Sequence, residues 1–330
     1  MGDYRDRWFP AGVAVAWVDG PAWLSWVTWP PRLRLPPPAC AALAATAERW
    51  SLADLTDGRS QNRALGQLCV EVPSLGDVLG AAAHALRREC AVVVEAVPTV
   101  DSALVILASA MGVVSIEDNG SPPRLVWDVR PSPEPSSVRS QRPDAFPLHT
   151  DSAHLYRPHA VVGLACVQPS RDRDGLSLLV TADRVRKILQ AEGHERKVRR
   201  LQEPCFPFAS VSESGRPVIL RPILGAATDP VQVRYREPLL RWGLQLSPRS
   251  LDTAHRSAFQ VLDAVLRRAS LPTRLLLAAN DFLLFDNRRL LHGRTALGLD
   301  SERHLKRLKI HEPLIDGLRR ATEITANRRT

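Results

Sequence analysis

Near the middle of the chain lies the stretch Phe146-Pro147-Leu148-His149-Thr150-Asp151-Ser152-Ala153-His154. Side chains two positions apart point to the same side of an extended strand, so His149 and Asp151 could bind one metal ion together. A further imidazole, His292, follows far downstream. Two imidazoles and one carboxylate suit ferrous iron outside haem, because they leave coordination positions open for substrates. An isolated His-x-Asp pair is common by chance, so the surrounding sequence must decide whether this one binds a metal.

The composition is typical of a globular protein with a large core. The chain has 330 residues, of which 45% are hydrophobic and 24% are charged. Its formal charge of +9 comes mostly from arginine, which favours anionic ligands through bidentate contacts. The basic residues are dispersed, whereas a nucleic-acid-binding surface usually shows one basic stripe. We therefore expect a small anionic or zwitterionic ligand and no nucleic acid.

Cysteine usage and the N-terminal sequence predict a cytoplasmic protein. The five cysteines are odd in number and contain no C-x-x-C pair, which favours reduced, packed thiols. The first residues lack the pattern of a secretory leader, and no stretch reaches the roughly 20 apolar residues of a membrane span. We expect no membrane association.

The first part of the chain, up to about residue 51, is rich in tryptophan and proline. Its alternating segment 13–17 predicts a short strand. Large aromatic side chains more often fill a core or a subunit contact than stack on a ligand, so a homo-oligomer is compatible with this composition. We predict one domain over residues 1–330, with residues 1–74 as an N-terminal extension packed on it.

Hydrophobic periodicity predicts a mixture of helices and short strands. Helices are predicted at 39–49, 75–88, 101–111 with Asp101 as the N-cap, 181–190 with Thr181 or Asp183 as the cap, and 251–270. Strands are predicted at 90–96, 125–129, 159–167, 176–180, 217–223, 231–235, 274–278, 281–286 and 305–310. The simplest architecture is α+β, with a double-stranded β-helix (a cupin-like jelly roll) as core and helices packed outside it. Such a barrel can bring His149 and His292 together.

Several segments, in a consistent order, resemble one known family. They are Phe146-Pro147-Leu148-His149-Thr150-Asp151-Ser152, Asp174-Gly175-Leu176-Ser177-Leu178-Leu179, Asp286-Asn287-Arg288-Arg289-Leu290-Leu291-His292-Gly293-Arg294 and Glu302-Arg303-His304-Leu305-Lys306-Arg307. The chain is similar, over about residues 75 to 312, to the taurine dioxygenase and clavaminate synthase-like family of Fe(II)- and 2-oxoglutarate-dependent oxygenases. The resemblance implies Fe(II), 2-oxoglutarate and molecular oxygen as cofactor and co-substrates.

The resemblance also assigns roles to the metal-binding residues. It makes His149, Asp151 and His292 the iron ligands. Related halogenases have a small residue in place of the carboxylate, so Asp151 argues against halogenation. Nearby His154 and His304 are expected to lie outside the triad, since three ligands already complete it.

Further residues follow from the same family pattern. Arg303 matches the arginine that pairs with the distal carboxylate of 2-oxoglutarate, a bidentate partner for a guanidinium. Ser177 matches a hydroxyl that binds the same carboxylate, although a purely structural position in a strand is an equal alternative. Arg307 matches an arginine that can bind the acidic group of the prime substrate, or it could pair with an internal acid. Asn287 is expected to orient groups around His292.

The leading functional prediction is hydroxylation of an unactivated carbon in an amino acid or other carboxylate-bearing small molecule of specialised metabolism. Desaturation or ring formation by the same ligands stays open, as do a zinc hydrolase using the same triad and a non-catalytic jelly-roll binding protein. The substrate pocket is expected to be built by the loops 130–142 and 204–242, whose sequences carry no readable specificity.

Overall fold

The computed structural model describes residues 29–117, 124–132, 139–209, 218–247, 251–298 and 300–311. The strand predicted at 13–17 lies outside these ranges, as do parts of both predicted pocket loops. No helix in the described ranges is long and apolar enough to span a membrane. All five cysteines are free thiols.

The helices of the described chain flank the sheets. They are α1 (Pro37–Arg49), α2 (Gly58–Glu71), α3 (Pro73–Glu89), α4 (Asp101–Ala108), α5 (Ala182–Ala191), α6 (Glu195–Leu201), α7 (Glu237–Leu246) and α8 (Thr253–Leu266), with short 3-10 turns at Ser109–Met111 and Arg139–Gln141.

The strands are short and mostly antiparallel. They are β1 (Arg32–Arg34), β2 (Ala91–Glu95), β3 (Trp127–Val129), β4 (Phe146–His149), β5 (Val161–Gln168), β6 (Ser177–Thr181), β7 (Phe206–Phe208), β8 (Ile219–Arg221), β9 (Thr273–Leu275), β10 (Phe282–Asp286), β11 (Leu290–Arg294) and β12 (His304–Ile310). A larger sheet has the order β1-β2-β10-β5-β12-β3, a smaller sheet has the order β4-β11-β6-β9, and β7 pairs with β8.

The two main sheets pack face to face, and strand alternation explains how. In β10, Leu283 and Phe285 point into a buried cluster shared with Leu179 and Leu290 of the smaller sheet. Phe282 and Leu284 point to the opposite face, into a buried cluster shared with α1 to α4. Because the larger sheet is buried on both faces, its central strands are continuous apolar runs. The predicted α+β jelly-roll core with flanking helices is confirmed.

The outer face of the smaller sheet is covered by the later helices. Leu148, Val180 and Leu291 from three of its strands share a buried cluster with apolar residues of α5 to α8. The smaller sheet is therefore held between the larger sheet and a helical layer, which fixes the strands that carry the predicted metal ligands.

Most predicted elements are present, with shifted ends. Residue Thr181 caps α5 as predicted, accepting a hydrogen bond from the backbone N–H of Arg184. The predicted N-cap at Asp101 is wrong, because Val100 occupies that position and Asp101 lies in the first turn, where it pairs with Lys306. The helix predicted at 251–270 ends earlier, at Leu266.

Some elements were missed or mispredicted. The strand predicted at 231–235 is reduced to one isolated bridge between Leu224 and Val233. Helices α2, α6 and α7 were not predicted, because α2 and α6 are largely polar and α7 begins within the segment 204–242, which was predicted as loop. The division into one domain with residues 1–74 as an extension stays a prediction.

Substitution of Gly293 by alanine should disturb the strand pair that carries the two histidines. A Cβ at Gly293 would lie 2.6 Å from the backbone oxygen of Phe146, which cannot move without shifting β4. We expect a loss of about 1–3 kcal/mol in the free energy of unfolding, measured by chemical denaturation. The matched control, Gly80→Ala within α3, meets nothing within 4 Å and should be neutral or stabilising. Equal stability of the two variants would contradict this packing argument.

Candidate metal centre

The two histidines of the triad meet across neighbouring strands. His149 is the last residue of β4, and its Cα partner in the antiparallel pairing with β11 is His292. The centroids of their rings are 4.2 Å apart. The His149 ring also stacks on Phe146, with centroids 4.0 Å apart. Strand register therefore brings together two side chains that are distant in sequence.

Asp151 reaches the same point from a turn rather than from the strand. Since β4 ends at His149, strand alternation does not extend to Asp151 as predicted. The turn is instead fixed by Asn287, whose Oδ1 accepts from the backbone N–H of Asp151 (2.7 Å) and whose Nδ2 donates to the carbonyls of Asp151 and His159 (3.0 Å each). Asn287 thus orients the Asp151 turn and not the His292 ring.

The resulting geometry is compatible with a single metal ion. His149, Asp151 and His292 are buried, and one potential ligand atom from each lies within 4.8 Å of the others. His149 Nε2 is 3.5 Å from Asp151 Oδ1. Within the described ranges, His292 Nδ1 is buried without a hydrogen-bond partner, as expected of an atom available to a ligand. His304 instead pairs with Asp128, at 2.6 Å.

Protonation favours metal binding. His149 Nδ1 lies 2.9 Å from the carbonyl oxygen of Pro147, and a carbonyl only accepts, so Nδ1 carries the proton and Nε2 is left as a lone-pair donor. Burial lowers the pKa of His149 and holds the pKa of His292 well below its ordinary value. Both imidazoles are therefore neutral at pH 7, which is the form that binds metals.

The carboxylate is kept ionised by buried cations. Burial alone would raise the pKa of Asp151, but the charges of Lys309 and Arg307 outweigh it and hold that pKa well below the usual range. Arg307 Nη1 and Lys309 Nζ lie 3.7 and 3.9 Å from Asp151 Oδ2. Each of these cations is also 2.8 Å from Glu117 Oε2. Two acids and two cations thus form a buried cluster behind the triad.

Arg307 was predicted to contact the substrate, with pairing to an internal acid as the alternative. The structure places its guanidinium on Glu117, and a substrate would have to compete with that carboxylate. Sequence reasoning missed both Glu117 and Lys309. The location of Lys309 could have been predicted, because it lies two positions after Arg307 on β12 and therefore points to the same face of the sheet. No sequence pattern indicated that Glu117 would lie near the triad.

Arg303 lies immediately before β12 and is buried. Among the described acidic residues none forms a salt bridge with it, and burial lowers its pKa to about 10, so it stays protonated at neutral pH. Gly175 packs against it: a Cβ there would lie 2.7 Å from Arg303 Cδ. Ser177, two residues further along, is buried at the start of β6. A buried cation of this kind favours an external carboxylate.

Two other arginines support loops around the site. Arg294 donates hydrogen bonds to the backbone carbonyls of Ser140, Arg142 and Asp144, which fixes the loop that precedes β4. Arg234 in the same way donates to carbonyls in the turn that follows Asp151. Both guanidinium groups therefore have structural partners.

A family model described as taurine catabolism dioxygenase TauD, TfdA family matches residues 63–309. The chain belongs to this family and is an Fe(II)- and 2-oxoglutarate-dependent dioxygenase that consumes molecular oxygen. This assignment confirms the family predicted from the sequence, and it favours the oxygenase over the zinc hydrolase and the non-catalytic barrel.

One curated relative is a 3-((Z)-2-isocyanoethenyl)-1H-indole synthase from Fischerella ambigua (strain UTEX 1903), which is 27% identical over 176 residues. The match covers 50% of this chain and 62% of that protein, so it spans less than two thirds of the relative's own length.

Solved structures of similar fold include two oxygenases. Asparagine oxygenase in complex with Fe(II), 2S,3S-3-hydroxyasparagine and succinate is 17% identical, with a TM-score of 0.68 over 85% of this chain and 93% of that one. The non-haem iron oxygenase OrfP in complex with Fe and alpha-ketoglutaric acid is 21% identical, with a TM-score of 0.63 over 89% and 96%. At these identities the likeness concerns the fold.

Replacing Asn287 with alanine should loosen the turn that carries Asp151. The change leaves the buried N–H and carbonyl of Asp151 and the carbonyl of His159 without their partner, which we expect to cost about 1–3 kcal/mol of unfolding free energy. Iron affinity, measured by anaerobic titration, should fall as well. Asn62→Ala in α2 serves as the control and should change neither quantity. Unchanged iron affinity in the Asn287 variant would show that the turn is held by other contacts.

Proposed function

We propose that His149, Asp151 and His292 are the iron ligands and that Arg303 and Ser177 bind the distal carboxylate of 2-oxoglutarate. The observation that carries the proposal is the convergence of two neutral imidazoles and one ionised carboxylate within 4.8 Å. Iron and 2-oxoglutarate, when bound, supply a two-electron oxidant from molecular oxygen, with succinate and carbon dioxide as co-products.

The protein's own residues supply position and charge. The Nδ1–H of His149 donates a hydrogen bond to the carbonyl oxygen of Pro147, which leaves Nε2 free to bind the metal. Asp151 stays anionic because the positive charges of Arg307 and Lys309 lie next to it. The Arg303 guanidinium offers a positive charge in a buried place, where its attraction for a carboxylate is strong. These features favour a site in which the anionic co-substrate is oriented before the prime substrate enters.

The reaction that we propose is hydroxylation of an unactivated carbon in an amino acid or other carboxylate-bearing small molecule. The excess of basic residues around the site supports an anionic or zwitterionic substrate. Asp151 fills the position that halogenases leave open, which supports oxygenation. A cytoplasmic location and a role in specialised metabolism belong to the same proposal, supported by the free thiols and by the Fischerella relative.

Desaturation is the second candidate. The product in the name of the Fischerella relative carries an ethenyl group, which contains a carbon–carbon double bond. Hydroxylation and desaturation both begin at an unactivated carbon and use the same ligands, so the triad alone does not distinguish them.

Aerobic incubation of the iron-loaded protein with 2-oxoglutarate and a panel of amino acids tests the reaction. We expect succinate to form in step with a product that has gained one oxygen atom, followed by mass spectrometry. A product that has lost two hydrogens would instead identify a desaturase. Succinate formation that no panel member stimulates would contradict an amino-acid substrate.

Alanine variants of the histidine ligands test the triad. His149→Ala and His292→Ala should each abolish stoichiometric iron binding, measured by metal analysis after gel filtration, and succinate formation with it. His84→Ala in α3 is the matched control and should bind iron like the wild type. Coupled turnover that survives in either triad variant would show that the ligand assignment is wrong.

Variants of Arg303 test the 2-oxoglutarate anchor. Arg303→Gln removes a buried charge-assisted pair and should weaken 2-oxoglutarate binding by about tenfold to a hundredfold. Arg303→Lys keeps the charge without the bidentate geometry, so its affinity for 2-oxoglutarate should lie between those of wild type and Arg303→Gln. Ser177→Ala should weaken binding less than Arg303→Gln. Calorimetric titration with 2-oxoglutarate measures all three. Equal affinity for wild type and Arg303→Gln would exclude this arginine as the anchor.

A further inference from the structure

A third cation, Arg236, lies on the other side of Asp151 from Arg307 and Lys309. Its Nη1 is 3.7 Å from Asp151 Oδ1, whereas the other two cations approach Oδ2. Oδ1 is also the oxygen nearest to His149 Nε2. Arg236 therefore approaches the side of the carboxylate that faces the other ligands.

The backbone around Arg236 is held firmly against the metal-binding turn. The N–H of Thr150, the residue between His149 and Asp151, donates to the carbonyl of Tyr235 at 2.7 Å, and the N–H of Tyr235 donates to the hydroxyl of Thr150 at 3.1 Å. Arg236 then begins α7 as its N-cap residue. The side chain is thus placed by the same loop that places the ligands.

Arg236 has the most accessible side chain of these three cations. Its side chain is 29% exposed, against 12% for Arg307 and 11% for Lys309. It lies over the Phe146 ring at 5.6 Å, on the residue whose ring stacks on His149. The Arg236 side chain is therefore partly open to solvent and lies at the edge of the site.

Arg236, unlike the other two cations, has no close carboxylate partner among the described acidic residues. Glu117 lies 2.8 Å from both Arg307 and Lys309, so those cations keep a close carboxylate whatever occupies the site. Arg236 has only the longer contact to Asp151 among the described acids. A divalent ion shared by the triad would compete for that same carboxylate and repel the guanidinium.

We propose that Arg236 binds the carboxylate of the prime substrate at the open edge of the site, while Arg307 stays paired with Glu117. This rests on the proposed function, because it assumes that the triad holds a metal. The substrate class it selects is an acid in which the oxidised carbon lies close to the carboxylate, since Arg236 and the ligands are near neighbours. Charge-assisted bidentate contacts make the guanidinium a strong discriminator between an acid and its amide.

Matched acid and amide probes test this directly. Acetate with acetamide, and indole-3-acetate with indole-3-acetamide, are titrated calorimetrically into protein loaded with zinc, which is redox-silent, and saturated with 2-oxoglutarate. For at least one pair we expect wild type to bind the acid about tenfold more tightly than the amide. Arg236→Gln should bind both within about twofold, and Arg236→Lys should keep part of the preference. Saturation with 2-oxoglutarate prevents the acids from occupying the Arg303 site.

Arg139 offers a matched control. It lies over the same Phe146 ring at 5.9 Å, but its guanidinium pairs with Asp144 at 2.8 Å. Arg139→Gln should therefore keep the preference for the acid. Arg307→Gln tests the competing anchor, and loss of the preference there but not in Arg236→Gln would overturn the proposal.

Two other results would also overturn it: no acid preference in the wild type, and loss of 2-oxoglutarate affinity in Arg236→Gln. The second would assign Arg236 to the co-substrate. Failure of the wild-type protein to bind both zinc and 2-oxoglutarate would instead count against the proposed function. The acid and amide titration would then be repeated on metal-free Arg303→Gln protein, where an acid preference that the added Arg236→Gln change removes would still support Arg236 as an anion-binding residue, and no preference would overturn it.

Discussion

The antiparallel pairing of β4 with β11 is the constraint on which the site depends. It sets His149 directly opposite His292, and a shift of the register by one residue would turn one ring to the opposite face of the sheet. Gly293 permits this pairing, because its missing side chain leaves room for the backbone of Phe146. The smaller sheet is packed on both faces, by Leu148 and Leu291 on one side and by Leu290 on the other, so apolar contacts beside the two histidines help to fix the register.

Around this pair the protein arranges buried charge in two layers. Behind Asp151, Glu117 binds Arg307 and Lys309 and neutralises part of their charge, so the Asp151 carboxylate remains ionised without an unbalanced cation. In front of it, Arg236 has no comparably close carboxylate among the acidic residues that the structure describes. Burying a paired charge is tolerable, whereas an unpaired one favours an incoming anion. Arg307 and Lys309 therefore serve to keep Asp151 ionised, whereas Arg236 can bind an incoming anion.

The limits of sequence reasoning are visible in particular residues. Arg303 could be picked out from its place after His292, and it is buried without a described acidic partner. Asn287 was recognised as important, but its contacts could not be predicted, because they depend on how the turn after β4 folds back. Arg236 was not singled out, although it lies in the segment 204–242 that was expected to help build the substrate pocket, because that segment showed no motif. Helices α2 and α6 were missed because they are largely polar, so the apolar residues along them formed too weak a pattern to predict a helix.

The amino-acid sequence by itself determined the family and the α+β jelly-roll core and predicted the metal ligands, because these follow from short motifs and from apolar alternation along the strands. Only the tertiary structure decided which oxygen of Asp151 meets which cation, that Arg307 has an internal partner in Glu117, and that Arg236 lies beside the triad. The physical reason is that motifs report local spacing, whereas charge pairing depends on distances between segments that only folding brings together.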